Sequence, residues 1–157
     1  MNDVIFARAL HVLAIIHWIG GLAFVALVVL PLAVSRPDRG EGLALFAAVE
    51  RRFSAQLRFS IPLAGAAGLW MTYRMDLWDR FADPHFWWMS AMAGLWLFFM
   101  AMIFVVEPLA HGRLERRAQE DPESAFRRLI ALHAVLLVLA ALTALGAVAG
   151  AQGFEFF

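Results

Sequence analysis

Three of the five histidines, His11, His17 and His133, stand inside apolar stretches of the chain. An ionisable group in such a stretch is costly and is normally kept for a function or a firm partner. A neutral imidazole nitrogen is a good ligand for iron or copper, and b-type haem needs nothing covalent from a protein beyond axial ligands. His85 and His111 flank a further apolar stretch. The axial candidates for haem b are therefore His11, His17, His133 and His85, and the first three are also the candidate metal ligands. The competing reading of His11, His17 and His133 is a hydrogen bond to a neighbouring helix, and that of His85 and His111 an ordinary interfacial residue. The chain has no cysteine, which excludes c-type haem, thiolate metal sites, iron–sulfur clusters and disulfides. All 13 basic residues are Arg, so Schiff-base lysines and a P-loop are excluded as well.

Other polar groups are fewer. Arg58 is a candidate contact for a haem propionate or a substrate carboxylate, with Ser60 beside it, because Arg binds carboxylates bidentately. Glu107, just before Pro108, either pairs with an arginine or lies on a proton path. Met71, Met75, Met89 and Met92 are conceivable soft ligands, with core packing the simpler role. Thr143 is expected to bond its own helix backbone.

The elements that position these groups follow from composition. Of the 157 residues 62% are hydrophobic and 17% charged, and mean hydropathy is +0.71. Such a chain carries more apolar surface than a soluble domain of its size can cover. Four stretches, about 4–34, 57–73, 86–110 and 126–150, approach or exceed the ~20 residues that cross a bilayer as a helix. None alternates as a barrel strand does. The expected fold is all-α, an integral membrane antiparallel four-helix bundle forming one domain over 1–157. The first stretch is too long for a signal peptide and lacks a basic leader, so it reads as retained. Residues 35–56 read as a loop followed by a more helical piece, and 74–85 and 111–125 as loops, with Asp121 or Ser124 capping the fourth helix. No internal repeat is apparent.

Ten arginines fall on one side of these spans and three, Arg8, Arg74 and Arg80, on the other. The positive-inside rule makes the ten-arginine side cytoplasmic, with both termini outside, as in a multi-pass protein of a bacterial inner membrane. Trp70, Trp78, Trp87 and Trp88 gather on the outer side as an interfacial belt would. Acidic and basic residues cancel at 13 each, and no basic tract calls for nucleic acid. The expected partners are membrane lipid, a quinone or a periplasmic redox carrier, and a second copy in a homo-oligomer.

On a helical wheel His11 and His17 lie about 120° apart. The arc between them holds Ala14, Trp18, Gly21 and Val25, a surface that a helix or a flat ring can approach closely. His133 shares a face with Ala140, Ala144 and Ala147. With the bilayer centre near residues 19, 97 and 139, His11 lies roughly 12 Å and His85 roughly 18 Å outward of it. His17 is roughly 3 Å outward and His133 roughly 9 Å inward. Depth therefore permits His11 with His85, and marginally His17 with His133, but not His11 with His133 in one chain.

The segment ALHVLAIIHWIGGL, residues 9–22, resembles the first helix of the HemJ and CopD-like superfamily of small membrane proteins. The shared pattern is a His, a Trp about seven residues on and then a Gly: His11, Trp18, and Gly20 or Gly21, with Pro31 near the helix end. VERRF at 49–53, followed by Pro62 and Gly68, is similar to the entry into that family's second helix, and FRRL at 126–129 to the entry into its fourth. HemJ proteins bind b-type haem and are associated with protoporphyrinogen oxidation; CopD proteins are associated with copper uptake. The resemblance implies a haem-binding bundle with His11 as the carried-over ligand. The chain departs from HemJ in lacking the third-helix Lys, in having Leu32-Ala33 after Pro31, and in carrying His17 and His133. The expected function is a b-type haem protein passing electrons within the membrane; the alternatives are a HemJ-like protoporphyrinogen oxidase and a CopD-like copper-handling protein.

Overall fold

The computed structural model describes residues 1–154, and for His111, Leu114 and Glu115 the backbone only. Every regular element among the described residues is helical. Helix α1 spans Asn2–Val34 and α2 spans Arg39–Arg74. Two 3-10 turns, Trp78–Phe81 and Pro84–Phe86, lead into α3. That helix runs through Trp87–Ala101, Met102–Val106 and Glu107–Glu120. Helix α4 spans Pro122–Ala151. The stretches Asn2–Val34, Pro84–Ala110 and Pro122–Ala151 are long and apolar enough to cross a membrane. Helix α2 is not among them: Ser60, Pro62, Gly65, Gly68 and Thr72 dilute the apolar stretch expected at 57–73.

The connections are shorter than the sequence implies. Asp38 accepts from the amides of Gly40 and Glu41, which starts α2 eighteen residues before the expected span. Asp121 accepts from the Ser124 amide, so α3 continues to Glu120 before the chain turns. In both places a side-chain cap satisfies orphan amides and lets the helix begin inside a polar segment.

Rings seated on glycines bring the helices together. The Phe53 ring occupies the place of a side chain at Gly21, and Trp96 does so at Gly65. Trp87 covers Gly146 and Trp88 covers Gly150. Gly42 lies against the Ala33 carbonyl, where a Cβ would come within 2.3 Å of the oxygen. Small residues permit this approach where hydrophobic force between helices is weak. It also changes the reading of the tryptophans: Trp88 is buried in a glycine slot, whereas Trp70 and Trp78 are exposed. The central core comprises Trp18, Leu22, Leu57, Ile61, Phe99, Ile103, Leu136 and Ala140. A second cluster, around Val29, Leu30, Phe46 and Phe126, closes the arginine-rich end. Around them Ile5, Leu13, Ile16, Phe59, Leu109, Leu145 and Val148 are exposed. An apolar shell of this extent is that of a membrane protein.

The fold draws out a short repeat. VVLPLA at 28–33 recurs as VVEPLA at 105–110. Each sits on a π-helical turn, Val25–Val29 and Met102–Val106. The Leu30 amide bonds the Val25 carbonyl and the Glu107 amide bonds that of Met102. A proline ring clashes with the carbonyl four residues back, and the wider turn just ahead of Pro31 and Pro108 accommodates it.

Candidate functional site

Most of the polar side chains inside the bundle lie along α2. On its α1 side, His11 Nδ1 donates to the Ala64 carbonyl at 2.7 Å, and its ring lies against Gly68. A carbonyl only accepts, so the proton is on Nδ1 and the lone pair on Nε2. This is the hydrogen bond to a neighbouring helix expected of a packing histidine, and the same carbonyl contact also orients metal-ligating histidines. Two turns inward, His17 Nε2 donates to Gln56 Oε1 at 3.1 Å, and Nδ1 accepts from Ser60 Oγ at 3.1 Å. Both nitrogens of His17 are engaged, and its ring also packs on Phe53 with centroids 5.7 Å apart.

The other side of α2 carries an ion pair. Glu107 accepts from Ser54 Oγ and from Arg58 Nη2, the latter at 3.4 Å. Arg58 thus turns toward a carboxylate of its own chain, and Ser60 belongs to His17 instead. Ser54 and Gln56 were not singled out from sequence. The signal was available in the 54/58 and 56/60 spacings, which put two polar pairs on two faces of one helix.

His133 Nδ1 donates to the Leu129 carbonyl of its own helix at 2.8 Å, and its ring meets Phe46 edge-on at 5.8 Å. The α2 residues touched by His133 and by His17, Phe46 and Gln56, are ten positions apart, about 15 Å along the helix. Those touched by His133 and by His11, Phe46 and Ala64, are eighteen apart, about 27 Å. His85 is at the exposed outer end, its Nδ1 3.0 Å from Asp83 Oδ1. The His85 amide and ring hold the Asp83 carboxyl below the usual carboxylate range. The His111 side chain lies outside the described residues. Among the described residues no three or more His, Asp or Glu side chains gather where a metal ion would bind. Thr143 is buried in α4.

One buried group is unsatisfied. Trp18 is 3% exposed and its Nε1 has no hydrogen-bond partner among the described residues, although the ring makes an edge contact with Phe99 at 4.9 Å. Its counterpart Trp96 donates to the Ile61 carbonyl at 2.9 Å. At the arginine-rich end, Arg113, Arg116, Arg117 and Glu120 line an open hollow of about 290 Å³. No protein-family model, curated protein or solved structure matches the chain.

Proposed function

We propose that this is a four-span protein of a bacterial inner membrane that holds haem b at His11 and passes electrons within the bilayer. The observation that carries the haem reading is the His11–Ala64 bond. It fixes the ring, places the proton on Nδ1 and leaves Nε2 as the ligating atom. Ala14 and Ala64 beside it are buried, and a side chain at Gly68 would lie 3.3 Å from the His11 ring, so the α2 side of the imidazole is already closely packed. The core at the level of Trp18 is filled by Leu57, Ile61, Phe99 and Ala140. If His11 holds haem, it would have to do so from outside this packed core. When bound, haem supplies one-electron transfer at a potential set by its ligands and burial. His17, with both nitrogens used, acts here as a brace between α1 and α2.

Helix α2 counts as the fourth span because it accompanies α1 from end to end. Arg74 pairs with Asp3 at 2.7 Å at the outer end, and Gly42 meets Ala33 at the inner end. Its polar groups are bonded to α1 and α3, which lowers the cost of crossing. Arg36, Arg39, Arg113, Arg116, Arg117, Arg127 and Arg128 then lie toward one side, with both termini on the other, while Arg51, Arg52 and Arg58, counted from sequence with that side, fall within the α2 span.

The test is the visible spectrum of protein purified after expression with ample haem. The expected result is non-covalent haem b near one per chain. His11→Ala should lose haem or turn it high-spin while the bundle still inserts, and His17→Ala should keep the pigment. A colourless wild-type protein, or a His11→Ala variant with full occupancy and an unchanged spectrum, overturns the reading.

A further inference from the structure

A groove of about 240 Å³ runs along the joint of α1 and α2, just inward of the His17–Gln56 bond. Gly21, Phe24, Val49 and Phe53 line it, and Arg52 and Gln56 stand along its α2 edge. Phe24 is 55% exposed, so the groove opens sideways from the bundle. The Arg52 guanidinium has no acidic partner among the described residues, in contrast to Arg39, Arg58 and Arg74.

Depth makes that unpaired charge informative. The Phe53 ring sits on Gly21, which places Arg52 near the middle of the α1 span. If that span is centred in the bilayer, Arg52 starts roughly 10 Å inside the hydrocarbon boundary. A guanidinium there needs an acceptor. Phospholipid phosphates lie at the interface, well away from it. Arg52 and Gln56 are one turn apart, about 6 Å along the helix. Gln56 Nε2 gives one hydrogen to the Arg52 carbonyl at 3.3 Å and keeps a second. Two donors thus flank an apolar slot bordered by two phenyl rings.

We infer that this groove binds the ring of a lipid-soluble quinone. Its two carbonyl oxygens accept from Arg52 and Gln56, its ring packs against Phe24 and Phe53, and its tail runs into the bilayer. His17 positions Gln56 through the Nε2–Oε1 bond. The inference deepens the electron-transfer reading by naming the partner, but rests on the groove alone and not on haem.

The experiment uses the full chain in phosphatidylcholine nanodiscs, titrated with decylubiquinone. Retained quinone is extracted and measured against empty discs. The expected result is saturable retention of about one quinone per chain. Arg52→Gln and Gln56→Leu should each weaken it about tenfold, the worth of one charge-assisted or buried hydrogen bond. Val49→Trp, which fills the slot, should abolish it, and Arg36→Gln in the exposed loop should leave it unchanged. Circular dichroism and detergent melting establish that each variant is folded; Arg52→Gln, on an exposed side chain, decides the matter if Val49→Trp misfolds. Retention no greater than in empty discs, or unaffected by Arg52→Gln, overturns the inference. So does displacement of the quinone by phosphatidylglycerol together with loss of phosphatidylglycerol retention in Arg52→Gln, which makes the groove a lipid-headgroup site. A His11→Ala protein that loses haem yet retains quinone separates this result from the haem reading.

Discussion

The two helical hairpins, α1 with α2 and α3 with α4, solve the same packing problem with different side chains. Each first helix carries the VV-x-PLA element on a π-helical turn, and each second helix begins at an aspartate cap. In the first hairpin the rings laid on the facing helix include two imidazoles, and both hydrogen-bond to it. In the second the rings are Trp87 and Trp88, seated on Gly146 and Gly150. The variable position of the repeat differs in the opposite sense. Leu30 is 1% exposed within an apolar cluster, while Glu107 accepts from Ser54 and Arg58. Proline sets the backbone in both halves, but what each side chain does depends on the helix facing it. The polar partners are concentrated on α2, so the first hairpin is joined by hydrogen bonds and the second by rings seated on glycines.

Breaking the second hairpin should give the largest change in stability. Gly146→Ala would put a methyl 2.6 Å from the Trp87 ring. Its expected cost is about 1–3 kcal/mol, the range for overpacking, read as a lower midpoint of detergent unfolding. Gly20→Ala, with nothing within 4 Å of the added carbon, should be neutral or slightly stabilising, since alanine favours helix. Equal losses at the two positions would mean that the ring-on-glycine contact is not what holds α3 to α4.

In the first hairpin the expected energies are those of hydrogen bonds. A double-mutant cycle between His17→Phe and Ser60→Ala should return a coupling of about 0.5–1.5 kcal/mol. Zero coupling would leave His17 without a bracing role. Trp18→Phe removes a donor that has no acceptor among the described residues. The lost unpaired donor favours the variant and the small cavity left by the shorter ring disfavours it, so stability should change by no more than about 1 kcal/mol, with haem content unchanged. A fall well beyond the cost of that cavity would count against an unsatisfied indole N–H.

The smallest effect belongs to the loop joining the hairpins. The carboxyl of Asp83 is held below its usual range by the His85 amide and ring. Its contribution is complete above the ordinary carboxylate range, near pH 4, and is lost as pH falls through the lower folded-state value. Asp83→Ala should remove that pH dependence. The check is near-ultraviolet circular dichroism of the adjacent tryptophans across an acid titration, and an unchanged acid limb would separate Asp83 from the loop's order.

Composition and hydropathy determined an all-helical chain with helices long and apolar enough to cross a membrane, because so much apolar surface exceeds what a soluble domain of this size covers. The spans at 4–34, 86–110 and 126–150 were legible to within a few residues, and the cap was narrowed to Asp121 or Ser124, of which Asp121 is the one that accepts, since both signals are local. The singling-out of His11 and His17 was also local: a costly residue in an apolar run announces itself. Partners were not legible. Ser60 looked like a neighbour of Arg58, yet a helix turns 100° per residue, so the two face different helices and bond His17 and Glu107 respectively. The early start of α2 was hidden by its glycines and charges, which read as loop until Asp38 capped them. The glycine slots were hidden too, because a glycine does not say which ring fills it. Only the tertiary structure brought Trp96 to Gly65, Phe53 to Gly21 and His11 to Ala64. Those contacts depend on the rotation and depth of one helix against another, and no single helix's sequence contains either quantity.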